Sequence, residues 1–378
     1  MRPLFVKFAG RIIGKHAVAW YDEDPLGTVI TSYFNTGDIC VSDSTLRLVN
    51  YNQGKALNID QPVEANVVRT LRERCDYILL RGSNYLHEEM DWGYFGDWLE
   101  ALDLPVLCIG VGAQAAHRRD IKLPAASQRV WKAIAERAAS IGVRGSFSAD
   151  VLHLNGIHNV EIVGCPSIFR GLNPTLTLRH QPAGPKRVTF SVRREVGFNY
   201  ALDPEGFVAT QKRIIAKLAM VSDLYLSCHG EPEEKAFFYR SPQLLQQAAA
   251  KLTAEGWFDD VSGPTLRDLY ERRLYYVSSP SDGDFYATQF DAAVGYRVHA
   301  ILPTVALGTP GVLFAYDTRS QELAETFDLP IYTPSEFEKL TLTDAFEASR
   351  FSTFEEKFGE RYAHMKSVIE ANGVPTRM

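Results

Sequence analysis

Ala292-Ala293-Val294-Gly295-Tyr296-Arg297-Val298-His299 joins a short apolar run, a glycine and a stretch of helical character. Residues 292–294 read as a strand, and Gly295 lets the chain turn sharply after it. Residues 296–307 then suit a helix that Pro303 should kink or cut short. Strand, tight turn and helix together make the repeating unit of α/β sheets. On this reading Arg297 and His299 fall in or near the first helical turn. Free N–H groups and a positive dipole end favour an anion there. A fixed cation and a titratable imidazole at that place suit a phosphorylated or carboxylated ligand. The plainer alternative pairs Arg297 with a surface carboxylate and lets His299 fill a core gap.

The same unit repeats on both sides of this stretch. Residues 77–80 read as a buried strand ending at Arg81-Gly82, and 106–109 as another ending at Gly110. Residues 127–139 are helical in pattern, 140–143 strand-like up to Arg144, 145–154 helical and 160–163 strand-like. Residues 172–186 hold Pro174, Pro182, Gly184 and Pro185 without a clear period, which marks a linker. A second series of strands follows at 187–192, 223–227, 274–278, 292–294 and 311–315. Ser352-Thr353-Phe354-Glu355 has the pattern of a capping box, opening a helix that Gly373 stops. The expected division is an α/β domain over residues 1–175, a second over 186–335 and a helical tail over 336–378. Glycines and polar groups gather just after strands, the edge where open parallel sheets bind ligands.

A chain of 378 residues suits two domains rather than one core. The 40 Lys and Arg against 46 Asp and Glu give a net charge of -6, which argues against a general nucleic-acid binder but not against one basic pocket. Five scattered cysteines form no CxxC pair, so neither a zinc site nor a disulfide framework is expected, and a reduced cytoplasm is the default. The N-terminus lacks the apolar core of a signal peptide, and no apolar run is long enough to span a bilayer. Any membrane contact would be peripheral.

Arg297-x-His299, Gly308-Thr309-Pro310 and Asp317-x-Arg319-x-x-Glu322-Leu323 resemble the C-terminal signature of the polysaccharide pyruvyl transferase family. Asn35-Thr36-Gly37-Asp38, Arg81-Gly82-Ser83-Asn84 and Gly110-Val111-Gly112-Ala113-Gln114 resemble its three early glycine loops. Val143-Arg144 with Ser148 and Leu152, continuing into Val163-Gly164-Cys165-Pro166-Ser167, resembles its arginine segment. One departure is Gly145, where an aspartate is common in the family. The resemblance implies an α/β protein of two Rossmann-like domains facing a cleft, a GT-B-like architecture. It also implies a reaction: the enolpyruvyl unit of phosphoenolpyruvate moves onto two sugar hydroxyls, giving a pyruvate ketal and phosphate. Phosphoenolpyruvate would be the co-substrate, with no further cofactor and no metal. The acceptor would be a glycan, free or lipid-linked, met in the cytoplasm or at the inner face of the membrane.

Carried onto the matching positions, the resemblance makes His299 the general acid, Arg144 its catalytic partner and Arg297 an anion binder. Arginine suits carboxylate and phosphate through paired hydrogen bonds and a fixed charge, and histidine suits proton transfer near neutral pH. Arg144 alone could equally cap a helix or pair between strands, and Arg297 could be a structural clamp. Arg193, Arg194 and His229 follow strands of the second domain, placed as the donor side. The arginines could also be a solvated edge, and His229 a ring stacked under a charged loop. Asn35, Asp38, Ser83, Asn84 and Gln114 have the polar groups that sugar hydroxyls need and are assigned to the acceptor side in the first domain. For Asn35 and Asp38 the competing account is turn and helix-cap bonding. Tyr85, Trp92, Tyr94, Phe95 and Trp98 fit a helix face packed into the core better than a sugar platform. Two rivals remain open: a nucleotide-sugar glycosyltransferase of the same architecture and a non-catalytic glycan-binding protein.

Overall fold

The computed structural model describes residues 1, 3–7, 35–194, 203–259, 261 and 263–378. Two parallel sheets organise it. In the first, β1 (Pro3–Lys7) lies between β2 (Lys55–Asn58) and β3 (Tyr77–Arg81), and β4 (Val106–Ile109) adjoins β3. The pair β5 (Ile141–Val143) and β6 (Val160–Ile162) continues this sheet through a bridge between Val111 and Val143. The second sheet contains β7 (Arg187–Ser191), β8 (Asp223–Cys228), β9 (Leu274–Tyr276), β10 (Ala292–Gly295), β11 (Gly311–Phe314) and β12 (Ile331–Tyr332). Its order is β12-β11-β10-β7-β8-β9. The chain winds outward from β7 to β9, then returns to β10 on the other side of β7. Ser191 and Gly295 therefore end adjacent strands at a topological switch, where open α/β sheets form a crevice. These are two doubly wound halves, the α/β architecture expected from the sequence.

β3, β4, β10 and β11 are nearly continuous apolar runs because helices cover both sheet faces. Alternation sorts β3 and β4 between two cores. Tyr77, Leu79, Leu107 and Ile109 join a core that continues into the second half with Val188, Phe190 and Val294. Ile78, Leu80, Val106 and Cys108 join an outer core with Trp92, Trp98 and Trp131. Tyr85, Trp92, Phe95 and Trp98 are buried there, whereas Tyr94 is exposed, in line with the packing account.

Polar bonds also join the halves. The Thr318 N–H donates to the Ala115 carbonyl at 3.1 Å, and the Ala115 N–H donates to Thr318 Oγ1 at 2.9 Å. Glu322, 0% exposed, accepts from the Ser148 N–H at 2.6 Å and the Ser148 hydroxyl at 2.9 Å. Its carboxylate thus meets free N–H groups at the start of the helix Ser146–Leu154. It also fills the space beside Gly145, where an added Cβ would lie 2.4 Å from Glu322 Cγ. Burial raises the Glu322 carboxyl to about 7, against the lowering effect of Ser148. Glu322→Ala should cost about 1–3 kcal/mol, because a buried N–H and hydroxyl lose their acceptor. The raised pKa makes a separate, unfavourable contribution to the charged form. Stability linked to it is full below the ordinary carboxyl range and is lost as pH rises through about 7. Melting curves against pH check both points: an unchanged melting temperature in Glu322→Ala would contradict the latch, and Glu322→Gln should flatten the decline.

Beyond β12 the chain crosses back to the first half. In the helix Ser352–Ala371, Phe358 and Tyr362 pack on Phe169 with ring centroids 5.6 and 6.0 Å apart. Asn372 then accepts from the Ala139 N–H at 2.9 Å, and Thr376 bridges Val49. The expected capping box at Ser352 does not form. A 3-10 turn, Ala348–Phe351, leads into the helix, and the Leu178 N–H takes Glu355 at 2.7 Å. Among the described residues no helix is long and apolar enough to cross a membrane.

Candidate active site

The crevice at β7 and β10 is built by Gly295. Its φ is +144°, and an added Cβ would lie 2.4 Å from Ser191 Oγ. The chain then enters the helix Val298–Val305 with Arg297 as N-cap residue. Pro303 lies inside that helix, which ends two residues later. The Arg297 N–H donates to Ser191 Oγ at 3.1 Å, tying β10 to β7. Its guanidinium pairs with buried Glu231 and donates to the Val192 carbonyl at 3.4 Å. Arg297 therefore acts as a clamp within the second half, and an incoming anion would compete with Glu231 for it.

His299, the second residue of this helix, faces the first half. An added Cβ on Gly37 would lie 3.1 Å from His299 Cβ, and Cys165 Sγ is 3.9 Å from His299 Nε2. Burial and the charges of Arg144, Arg319 and Arg81 push this imidazole well below the ordinary histidine value. It is neutral at rest. Arg144, 1% exposed, donates through Nε to the Gly110 carbonyl at 3.0 Å and through Nη1 to Asn84 Oδ1. Its stem packs on Gly112, where an added Cβ would sit 2.6 Å from Arg144 Cδ. Among the described residues no carboxylate lies within 4.0 Å of its guanidinium. Burial lowers its pKa and neighbouring Arg319 adds to that.

A polar chain runs from Arg144 across to the second half. Asn84 donates to Gln114 Oε1, and Gln114 Nε2 donates to Asp317 Oδ2 at 2.9 Å. Arg319 lies 3.6 Å from Asp317 and donates to the Tyr316 hydroxyl at 3.1 Å, which also receives Arg193. The structure thus brings together His299, Arg144, Asn84 and Gln114, and links Arg193 through Tyr316. Arg81 and Arg319 join them: the sequence leaves Arg319 between a ligand contact at the cleft and an internal pair with Asp317, and it gives Arg81, which ends a strand as Arg144 does, only a place in a quoted motif.

Other expected residues are held elsewhere or otherwise. Arg194 is neither a solvated edge nor turned to an anion from solution: buried Glu233 and Glu234, together with Glu255, take up its guanidinium. Asn35 caps the helix Thr36–Leu48, accepting from the Gly37 N–H at 3.2 Å, and Asp38 lies in that first turn, 3.8 Å from Arg81. For Asn35 this is the capping role weighed against an acceptor role, whereas Asp38 meets Arg81. The Ser83 carbonyl accepts from the Gly112 N–H at 2.9 Å. His229, 2% exposed, sits under Thr36, whose N–H donates to its carbonyl at 2.8 Å. Among the described residues no three His, Cys, Asp or Glu side chains gather as metal ligands.

Two doubly wound halves enclosing a cation-lined cleft define a GT-B-like α/β protein. The chain belongs to the polysaccharide pyruvyl transferase family, whose model matches residues 22–318. No curated protein matches it. Among solved structures it is similar to a putative UDP-N-acetylglucosamine 2-epimerase from Listeria monocytogenes, at 10% identity and a TM-score of 0.49 over 98% of this chain and 96% of that one. The UDP-GlcNAc 2-epimerase of Methanocaldococcus jannaschii, solved with UDP-GlcNAc and UDP, gives 11% and 0.47 over 97% and 99%. MnaA of S. aureus, solved with UDP, gives 11% and 0.44 over 98% and 97%.

Proposed function

We propose that the protein moves the enolpyruvyl unit of phosphoenolpyruvate onto two hydroxyls of a polysaccharide or its precursor, forming a cyclic pyruvate ketal and inorganic phosphate. Arg144 carries this reading. A buried guanidinium without a carboxylate partner is costly, and a bound anion would offset that cost. Arg81 and Arg319 add charge around the same imidazole. A donor with both a carboxylate and a phosphate fits such a cluster, and the family assignment favours pyruvyl transfer. In this reading the arginines neutralise the donor, and no metal or organic cofactor is invoked. Asn84, Gln114 and Ser83 stand on the first half as the acceptor side. The reaction runs in the cytoplasm, at the inner membrane face if the acceptor is lipid-linked.

His299 begins neutral, held so by burial and its arginines. An anionic donor reverses the local field and raises its pKa, so the imidazole takes up a proton as the donor binds. The charged imidazole then protonates the donor's methylene carbon while a sugar hydroxyl adds at C2. Phosphate departs against the arginines, and the second hydroxyl closes the ketal. Calorimetric titration of phosphoenolpyruvate near neutral pH, in buffers of different ionisation enthalpy, should show a proton uptake that His299→Gln loses. Binding with the same proton balance in both proteins would contradict this step.

A further inference from the structure

A cavity of about 30 Å³ lies at the switch crevice, lined by His229, His299, Ser191, Ser227 and Cys40 among others. That is room for one water, and the lining offers it polar partners. Thr36 meets His229 at two atoms. With its hydroxyl donating to the His229 carbonyl, 3.1 Å away, Thr36 can only accept at His229 Nδ1, 3.4 Å away, and this is the arrangement the inference takes. Nδ1 then carries the hydrogen, and Nε2 keeps a bare lone pair. Nε2 is buried and finds no partner among the described residues. We propose that His229 is a proton relay for His299, linked to it by one water held in this cavity. The inference rests on the pyruvyl-transfer reading.

The chemistry asks for such a second station. One proton must be added at C3 and two removed from hydroxyls, one of which leaves on the phosphate. Each hydroxyl O–H bond breaks as its O–C2 bond forms, and the phosphate–C2 bond breaks between the two additions. His299 alone cannot receive a hydroxyl proton while it is still donating its own. A neutral imidazole behind it can take the first, pass it back through the water and finish as it began. The charged groups near His229 allow this. Arg297 is paired with Glu231, and Asp284, on the helix packed over the cavity, is committed to Arg170 and Arg47. Burial, with Arg297 second, pushes His229 down to about 3, so it passes a proton on rather than storing it.

His229→Gln keeps most of the volume and an acceptor but carries no proton. It should lower kcat by about 10²-fold, keep phosphoenolpyruvate affinity and alter the pH profile of kcat. Nitrogen NMR of the ligand-free protein should find His229 neutral, with hydrogen on Nδ1, across about pH 5 to 8. A folded variant with wild-type kcat and pH profile overturns the relay. So does a variant that loses only donor affinity, or an Nε2–H tautomer. Absence of phosphate release from phosphoenolpyruvate by the wild type is a different failure, that of the transferase reading, and leaves the tautomer measurement as a test of the geometry.

Discussion

His299→Gln should lower kcat by about 10²–10⁴-fold, the contribution typical of one positioned acid–base group, and leave the melting temperature near that of the wild type. The side chain is 9% exposed and packed against Gly37 and Cys165, so truncation would confuse packing with chemistry. Glutamine keeps much of the volume and a hydrogen-bonding end. It also adds no charge beside Arg144, Arg319 and Arg81, matching the neutral resting imidazole. What it cannot do is carry a proton. If His299 were only a core residue, the variant would melt earlier and turn over normally while folded.

Arg144→Ala should weaken phosphoenolpyruvate binding by about tenfold or more, since a charge-assisted hydrogen bond contributes about 1.5–3 kcal/mol. Stability should change less than for an ordinary buried truncation. The variant loses packing on Gly112 and the bond to the Gly110 carbonyl, but it also removes a buried charge without a carboxylate partner. Arg144→Lys should recover only part of the affinity, because an ammonium cannot make the paired bonds of a guanidinium. Calorimetry on folded variants reads both effects. Unchanged donor affinity in Arg144→Ala would remove this arginine from the site.

Much of the fold was legible because local patterns carry it. Apolar runs at 77–80 and 106–109 and the glycine after Val294 mark strands and turns by themselves, and they became β3, β4 and the switch at β10. Arg144 and His299 were legible as groups beside strand ends. The partners were not. Glu231 lies 66 residues from Arg297, and the carboxylates that hold Arg194 are 39 to 61 residues away. Such pairs form only when the sheet brings loops together, and no periodicity announces them. Arg319 looked like half of a local pair with Asp317, and its approach to His299 comes from the pairing of β10 with β11, which brings the residues after both strands to one edge of the second sheet. Glu355 was misread for a related reason: the box pattern was present, but a backbone N–H from the linker claimed the carboxylate.

Pyruvyl transfer itself can be followed by incubating the protein with phosphoenolpyruvate and a panel of acceptor glycans in heavy water, with phosphate and the glycan read by NMR. Phosphate release should depend on an acceptor and be matched by a pyruvate ketal whose methyl group carries one deuterium, because C3 receives its proton from an exchangeable imidazole. Pyruvyl transfer is contradicted if phosphoenolpyruvate stays intact with every acceptor while a nucleotide sugar is turned over in its place.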